Sequence, residues 1–219
     1  MHRWYTEPQF KPVRYEELKK HIMQQAAAKG FGTRPAEVNV PEKILLIGSE
    51  VNEAFIAITQ QKNRLEDIWR HLGGDEEFLM TRPFYDPNRE TGYQGSFPER
   101  DNYREEWGDT LQRTLHLGGI FDISFPPEYT QYQGPMPPIQ DFSRRMFQVL
   151  GKTYEAHDHY RHKNLALFRE GLVWIAQYCA AVASRDGFDI EEEVMVKVTK
   201  NRARVWDPAS LNETFTKQN

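Results

Sequence analysis

Two short segments carry the residues best suited to chemistry. Glu50-Val51-Asn52-Glu53 and Glu106-Trp107-Gly108-Asp109 each hold two carboxylates three positions apart. On a helix that spacing puts both acids on one face. Around the first pair, Ile44, Leu45, Ile47, Val51, Ala54, Phe55 and Ile58 form an apolar stripe. Glu50 and Glu53 therefore fall at the edge of a buried face. Two such helices side by side would gather four carboxylates. Buried acids without a cation repel one another and raise their own pKa values. A hard divalent cation relieves that conflict: Mg²⁺, or Mn²⁺ in its place, takes oxygen ligands and a phosphate as a remaining partner. Such a site suits in-line attack of a metal-activated water on a phosphate. Taken singly, each pair is better explained as a solvated helix face, and only the two together bring the metal reading level with that one.

A third segment is cationic. Lys197, Lys200, Asn201 and Arg204 share one face by i, i+3 and i+4 spacing. They can serve as phosphate and base contacts. The plainer reading is that cations near a helix C-terminus complement its dipole.

The elements that must position these residues are helices. Residues 15–29 are rich in helix formers, with Gly30 placed to stop them. Residues 41–70 open on Pro41-Glu42, a good helix start. Helical spacing returns over 103–118, where Gly118-Gly119 marks the end, and again over 139–162, 164–184 and 190–204. Asp189 is placed as the N-cap of the last helix. Pro208 and the polar residues after it read as a tail. Period-2 alternation is nearly absent, so the expected fold class is all-α. Between these helices lie a Gly-, Pro-, Arg- and Tyr-rich insert at 72–103 and a proline-rich linker at 125–138.

Composition narrows the classes. The chain has 219 residues, a net charge of −4 and one cysteine. That length suits one domain with a substantial core. Cys179 reads as a buried apolar residue in a reducing, cytoplasmic setting. The mild acidity argues against a nucleic-acid polymer as partner. No apolar run approaches the ~20 residues of a membrane span, so no membrane partner is expected.

Motif order supports a family resemblance. PEKILLIGSEVNEAFIA, then YREEWGDTLQRTLHLGGIFDI, then DGFDIEEEVMVKVTKNRAR, resemble the E-x-x-E, E-x-x-D and K-x-x-K-N helices of the MazG-like all-α NTP pyrophosphohydrolases. Relatives in that superfamily include dimeric dUTPases and dCTP pyrophosphatases. AAAKGFGTRP is similar to the segment preceding the first motif in one branch. The resemblance implies a helical bundle that cleaves a nucleoside triphosphate to the monophosphate and pyrophosphate with Mg²⁺. Carried over, Glu50, Glu53, Glu106 and Asp109 become metal ligands, one of them instead orienting the attacking water. Lys197, Lys200 and Asn201 become substrate contacts, with Arg204 a weaker one.

The chain departs from the family pattern in two ways. The spacer between the acidic motifs is lengthened by the insert, and the last helix does not follow FDIS directly. FREGLVWIAQYCAAVASRDGFDIEEE is similar in pattern to the second motif, with Glu170 near the acid positions but Gly171 and Trp174 in place of the pair. Glu155 and Asp158 faintly echo the first motif. One reading is a fused pseudo-dimer. Repeat one (15–124) keeps the carboxylates, and degenerate repeat two (139–206) keeps the cationic helix. The rival is one long domain of 1–219. A homodimer or a pseudo-dimeric monomer is the expected state. A helical module that binds nucleotides or a protein without turnover is the alternative function.

Other residues are weaker candidates. Arg82, Tyr85, Arg89, Tyr93 and Arg100 in the insert could grip phosphates or simply form a solvated loop. His157, His159 and His162 lack the partners of a zinc site. Trp107 and Trp174 read as core. Gly151-Lys152 lacks the rest of a phosphate-loop signature.

Overall fold

The computed structural model describes residues 12–72, 103–125, 137 and 142–203, with side chains described except in 60–72. The insert candidates Arg82, Tyr85, Arg89, Tyr93 and Arg100 lie outside the described residues, as do nearly all of the proline-rich linker, Arg204 and the tail from Pro208.

The fold is all-α. Among the described residues there are six helices: α1 (Tyr15–Ala28), α2 (Val40–Leu72), α3 (Tyr103–Ile120), α4 (Phe142–Arg161), α5 (Leu165–Asp186) and α6 (Ile190–Ala203). A 3₁₀ turn at Pro35–Glu37 separates α1 from α2, and no strand occurs among the described residues.

Several helix ends follow the residues at them. Gly30 (φ 72°) closes α1 in a left-handed turn. The Phe31 N–H donates to the Ala26 carbonyl and the Gly30 N–H to that of Ala27, a Schellman motif. The Asp189 carboxylate accepts the N–H groups of Glu191 (3.0 Å) and Glu192 (3.3 Å), capping α6 as expected. The end of α3 differs from expectation. The helix runs through Gly118-Gly119 to Ile120, and the left-handed residue is Asp122 (φ 51°). Those glycines serve packing instead. A Cβ on Gly118 would lie 2.4 Å from the Phe125 ring, and one on Gly119 would lie 2.4 Å from Met23 Sδ.

α3 is the axis of the bundle. It packs against α2, α6, α1 and α5. A helix surrounded this way must bury most of its circumference. On α3 even Glu106, Asp109, Thr110 and Thr114 are buried. One continuous apolar core runs from Val13 to Val198 and takes residues from all six helices. It joins the two segments read as repeats. Cys179 is buried within it.

α5 corrects the expectation that no segment is long and apolar enough for a membrane. By length and composition its 22 residues pass that test. In this fold Phe168, Leu172, Ile175, Tyr178, Cys179 and Val182 are fully buried in the bundle, which accounts for the apolar character of the helix.

Candidate metal and phosphate site

α2 and α3 make the most extensive helix contact of the fold, and the acidic motifs meet across it. Glu50 and Val51 both lie on the buried side of α2, Glu50 4% and Val51 1% exposed. Glu106 and Asp109 lie one turn apart on α3, each 5% exposed. Carboxylate oxygens of Glu50, Glu106 and Asp109 come within 4.8 Å of one another. Ligands of one octahedral Mg²⁺ stand about 3 Å apart when adjacent and about 4.2 Å when opposite, from oxygen–metal distances near 2.1 Å. Small side-chain rotations would bring the three onto one ion. Among the described residues they form the one His, Cys, Asp and Glu grouping of this kind.

Glu53 is placed differently. It is exposed, one turn along α2 from Glu50 and outside the three-residue cluster. It remains close enough to push the Glu106 carboxyl up. At i+3 from Glu50 it has rotated to the outer edge of the stripe, where Ala54 and Ala57 carry the buried face instead.

The third motif arrives on α6. Gly108, between the two α3 acids, makes this approach close. A Cβ there would stand 2.9 Å from Glu193 Cβ and 3.2 Å from the Glu193 carbonyl carbon. A mid-helix glycine costs up to about 1 kcal/mol relative to alanine, and close backbone approach is what that position gains. α1 straps α6 in place. Gln25 Nε2 donates to the Val198 carbonyl at 2.7 Å, and the Arg14 backbone N–H and guanidinium both bond the Glu191 carboxylate.

So held, Lys197 pairs with Asp109 and stands 3.4 Å from Glu105, and Lys200 bonds both Glu105 oxygens at 3.1 Å. Asn201 is half-buried, with its Oδ1 buried and without a hydrogen bond. Two participants escaped the sequence reading. Arg113 bonds Glu50 through Nε, and Glu105 anchors both lysines. Both carried a signal: Arg113 is four residues after Asp109, and Glu105 four before it.

The electrostatics follow from burial. Desolvation, then Asp109, Glu50 and Glu53, push the Glu106 carboxyl up to about 8. Burial also pushes Asp109 up, to about 6, against the downward pull of Lys197. Burial lowers the Lys197 ammonium, but Asp109 and Glu105 more than offset this and hold it above its ordinary value. Asp109 Oδ1 is buried without a hydrogen bond. The donor set is all oxygen, with one orphaned carboxylate atom, and it fits a hard cation.

The remaining candidates fall elsewhere. His157, His159 and His162 are on or just past α4, and His162 stands 3.3 Å from Asp158. Glu155 and Glu170 are exposed. Trp107 is core, and Trp174 stacks on Tyr178 at 4.9 Å. A Cβ on Gly171 would meet Ala156 at 3.2 Å, so Gly171 serves the α4–α5 contact. No protein-family model, curated protein or solved structure matches the chain.

Proposed function

We propose that the protein is a Mg²⁺-dependent nucleoside triphosphate pyrophosphohydrolase, converting a (d)NTP and water to the monophosphate and pyrophosphate. The observation that carries this reading is the convergence of Glu50, Glu106 and Asp109 from two helices into one buried cluster, rimmed by Lys197 and Lys200. The motif resemblance supports it. Glu50, Glu106 and Asp109 would hold the metal, which when bound supplies neutralisation of phosphate charge and a more acidic water. Glu53, exposed and near enough to Glu106 to push its carboxyl up, would orient the water that attacks the α-phosphorus. Lys197 and Lys200, poised by Glu105, draw the leaving pyrophosphate. The acidic cluster comes from 15–124 and the cationic helix from 139–206, which is the composite site that a fused pseudo-dimer requires. A superposition of 41–124 on 140–204 without a two-fold relation would remove the fusion from this proposal.

A second reading is a helical module that binds nucleotides or a protein without turnover. It is favoured by the Arg113–Glu50 and Lys197–Asp109 pairs, which offset part of the acidic charge without any metal.

Incubation with each NTP and dNTP plus Mg²⁺, reading monophosphate and pyrophosphate, separates the two. Turnover is expected with at least one nucleotide, falling by 10²-fold or more in Glu106→Gln, on the scale of losing a main transition-state electrostatic group. No turnover above the Glu106→Gln variant with any nucleotide would leave the module reading.

A further inference from the structure

The seam between α2 and α3 continues past the acidic cluster. The two helices run antiparallel along it: Val51, Ala54 and Ile58 of α2 share a cavity wall with Tyr103 and Trp107 of α3, and Glu50 meets Arg113 further along. Continued in that register, the seam brings Lys43 to the level of His116. Lys43 is seven residues before Glu50 and His116 seven after Asp109, so each keeps the side of its helix that carries the acids. Seven residues of helix rise about 10 Å, and Arg113 stands between the two levels.

The groups at this second level are basic and lack an anion. The Arg113 ion pair is with Glu50, at the first level. Lys43 is half-buried, and among the described residues its ammonium has neither an ion pair nor a hydrogen bond. Burial lowers that ammonium, and Arg113 adds to this against the pull of exposed Glu42. Burial, then Lys43, push the His116 imidazole down to about 4. The ring is therefore neutral near pH 7, and its Nε2 is buried without a hydrogen bond. Cations crowded without a counter-charge mirror the carboxylates crowded without a cation, and an anion relieves them in the same way.

We propose that Lys43, Arg113 and His116 seat the terminal phosphate of a nucleoside triphosphate whose inner phosphates lie at the acidic cluster, an inference that rests on the hydrolase reading above. The order of groups along the seam suits it. Glu53 and Glu106 lie at one end, Glu50 and Asp109 in the middle, and Lys43 and His116 at the other. In-line displacement needs the leaving group opposite the attacking water. With that water at Glu53, the pyrophosphate departs toward Arg113 and Lys43. Lys197 reaches the cluster from α6 at Asp109, beside the middle of the polyphosphate. At the far end Arg113 offers a planar fork and Lys43 a point charge, both suited to phosphate. A nucleoside diphosphate ends one phosphate short of this seat, so the seat selects triphosphates.

Calorimetric titration of inorganic pyrophosphate into the full chain in Mg²⁺ buffer tests the seat without turnover. Wild type is expected to bind it. Lys43→Met, which keeps the apolar stem and removes an ammonium without a counter-ion, should fold as wild type does by circular dichroism. It should weaken pyrophosphate by about tenfold or more, the scale of one charge-assisted hydrogen bond, and Lys43→Arg should restore binding. No pyrophosphate binding by wild type overturns the proposal, and so does equal affinity in wild type and Lys43→Met. A second measurement compares kcat/KM for a nucleoside triphosphate and its diphosphate. The advantage of the triphosphate should shrink about tenfold in Lys43→Met, on the same scale. An equal fall for both substrates overturns the assignment to the terminal phosphate. Lys43-dependent pyrophosphate binding without turnover of any nucleotide would remove the hydrolase reading and keep the anion seat. Turnover with pyrophosphate binding indifferent to Lys43 would keep the hydrolase and remove the seat.

Discussion

Carboxylates are buried at two levels of α3, and their surroundings differ. At the start of the helix, Arg145 Nη1 donates to Asp186 Oδ2 at 2.6 Å, and the Tyr103 hydroxyl donates to the same oxygen at 2.9 Å. Arg145 Nε donates to the Pro137 carbonyl at 3.0 Å. The ion pair is 1% exposed on both sides, and Arg145 Nη2 alone of that guanidinium has no hydrogen bond. Burial pushes the Asp186 carboxyl up, while Arg145 and Tyr103 pull it down. One anion meets one cation there. A turn along α3, Glu50, Glu106 and Asp109 bring three acids together, and around Glu106 burial and its neighbours all push in the same direction. The first group joins α3, α4 and α5. The second is left with charge that a ligand could complete, and perturbed carboxyls of that kind favour functional sites.

The largest test of the contrast removes one partner from each region. Arg145→Leu strands a buried Asp186 and should cost about 3–5 kcal/mol, the usual loss on breaking a buried pair. Glu106→Gln in metal-free protein should change stability by less than about 1 kcal/mol or raise it, because it removes a repelled charge without leaving a cation alone. Urea denaturation of both variants in the presence of a chelator gives the comparison. Equal losses would mean that the acidic cluster is as structural as the ion pair.

Much of this arrangement is legible in the sequence. Helix formers, apolar spacing and turn residues placed the six described helices to within a few residues at their ends, and the i, i+3 spacing singled out Glu50, Glu106 and Asp109, which meet in one cluster. Glu53 lies exposed at the edge of the stripe, because sharing a helix face with Glu50 does not fix which of the two points into the neighbouring helix. The Arg145–Asp186 pair had no local signal. Its members are 41 positions apart, and their burial depends on how α4 and α5 cross. Gly108 was passed over for the same reason: only the arrival of Glu193 gives it a purpose. At Gly118-Gly119 the residue type suggested a helix stop, while tertiary contacts with Phe125 and Met23 used the glycines for packing.

An intermediate effect is expected from pH. Glu106 and Asp109 have folded-state pKa values raised to about 8 and about 6. For an acid raised on folding, the stabilisation is full below its unfolded value and is lost as pH rises through the folded one. Metal-free protein should therefore lose about 1–3 kcal/mol between about pH 5 and about pH 8, the range for burying an ill-paired polar group. Glu106→Gln should flatten that slope. Saturating Mg²⁺ should reverse it, since the ion favours the ionised acids, and at a hundredfold excess over Kd it adds about 2.7 kcal/mol. Thermal melts across pH, with Mg²⁺ and with chelator, read all three. A slope unchanged by the variant would place the pH dependence elsewhere in the chain.

The smallest effect separates the two cations that already touch the cluster. Lys197 is 18% exposed and sits over Asp109, whereas Arg113 is 41% exposed and reaches Glu50 from the rim. A metal entering the cluster competes with both. Because Arg113 is partly solvated, its pair with Glu50 is worth about 1 kcal/mol or less. Arg113→Ala should accordingly tighten Mg²⁺ or Mn²⁺ binding by up to about fivefold, with little loss of stability. Lys197→Ala should tighten it by more, since it frees a deeper carboxylate from a cation screened less by water. Calorimetric titration of the metal into each variant without nucleotide ranks the two. Weaker binding in Arg113→Ala would show that the guanidinium positions Glu50 for the ion rather than occupying its place. The contrast with Arg145, whose cation is a fixed part of the fold, would then hold for Lys197 alone.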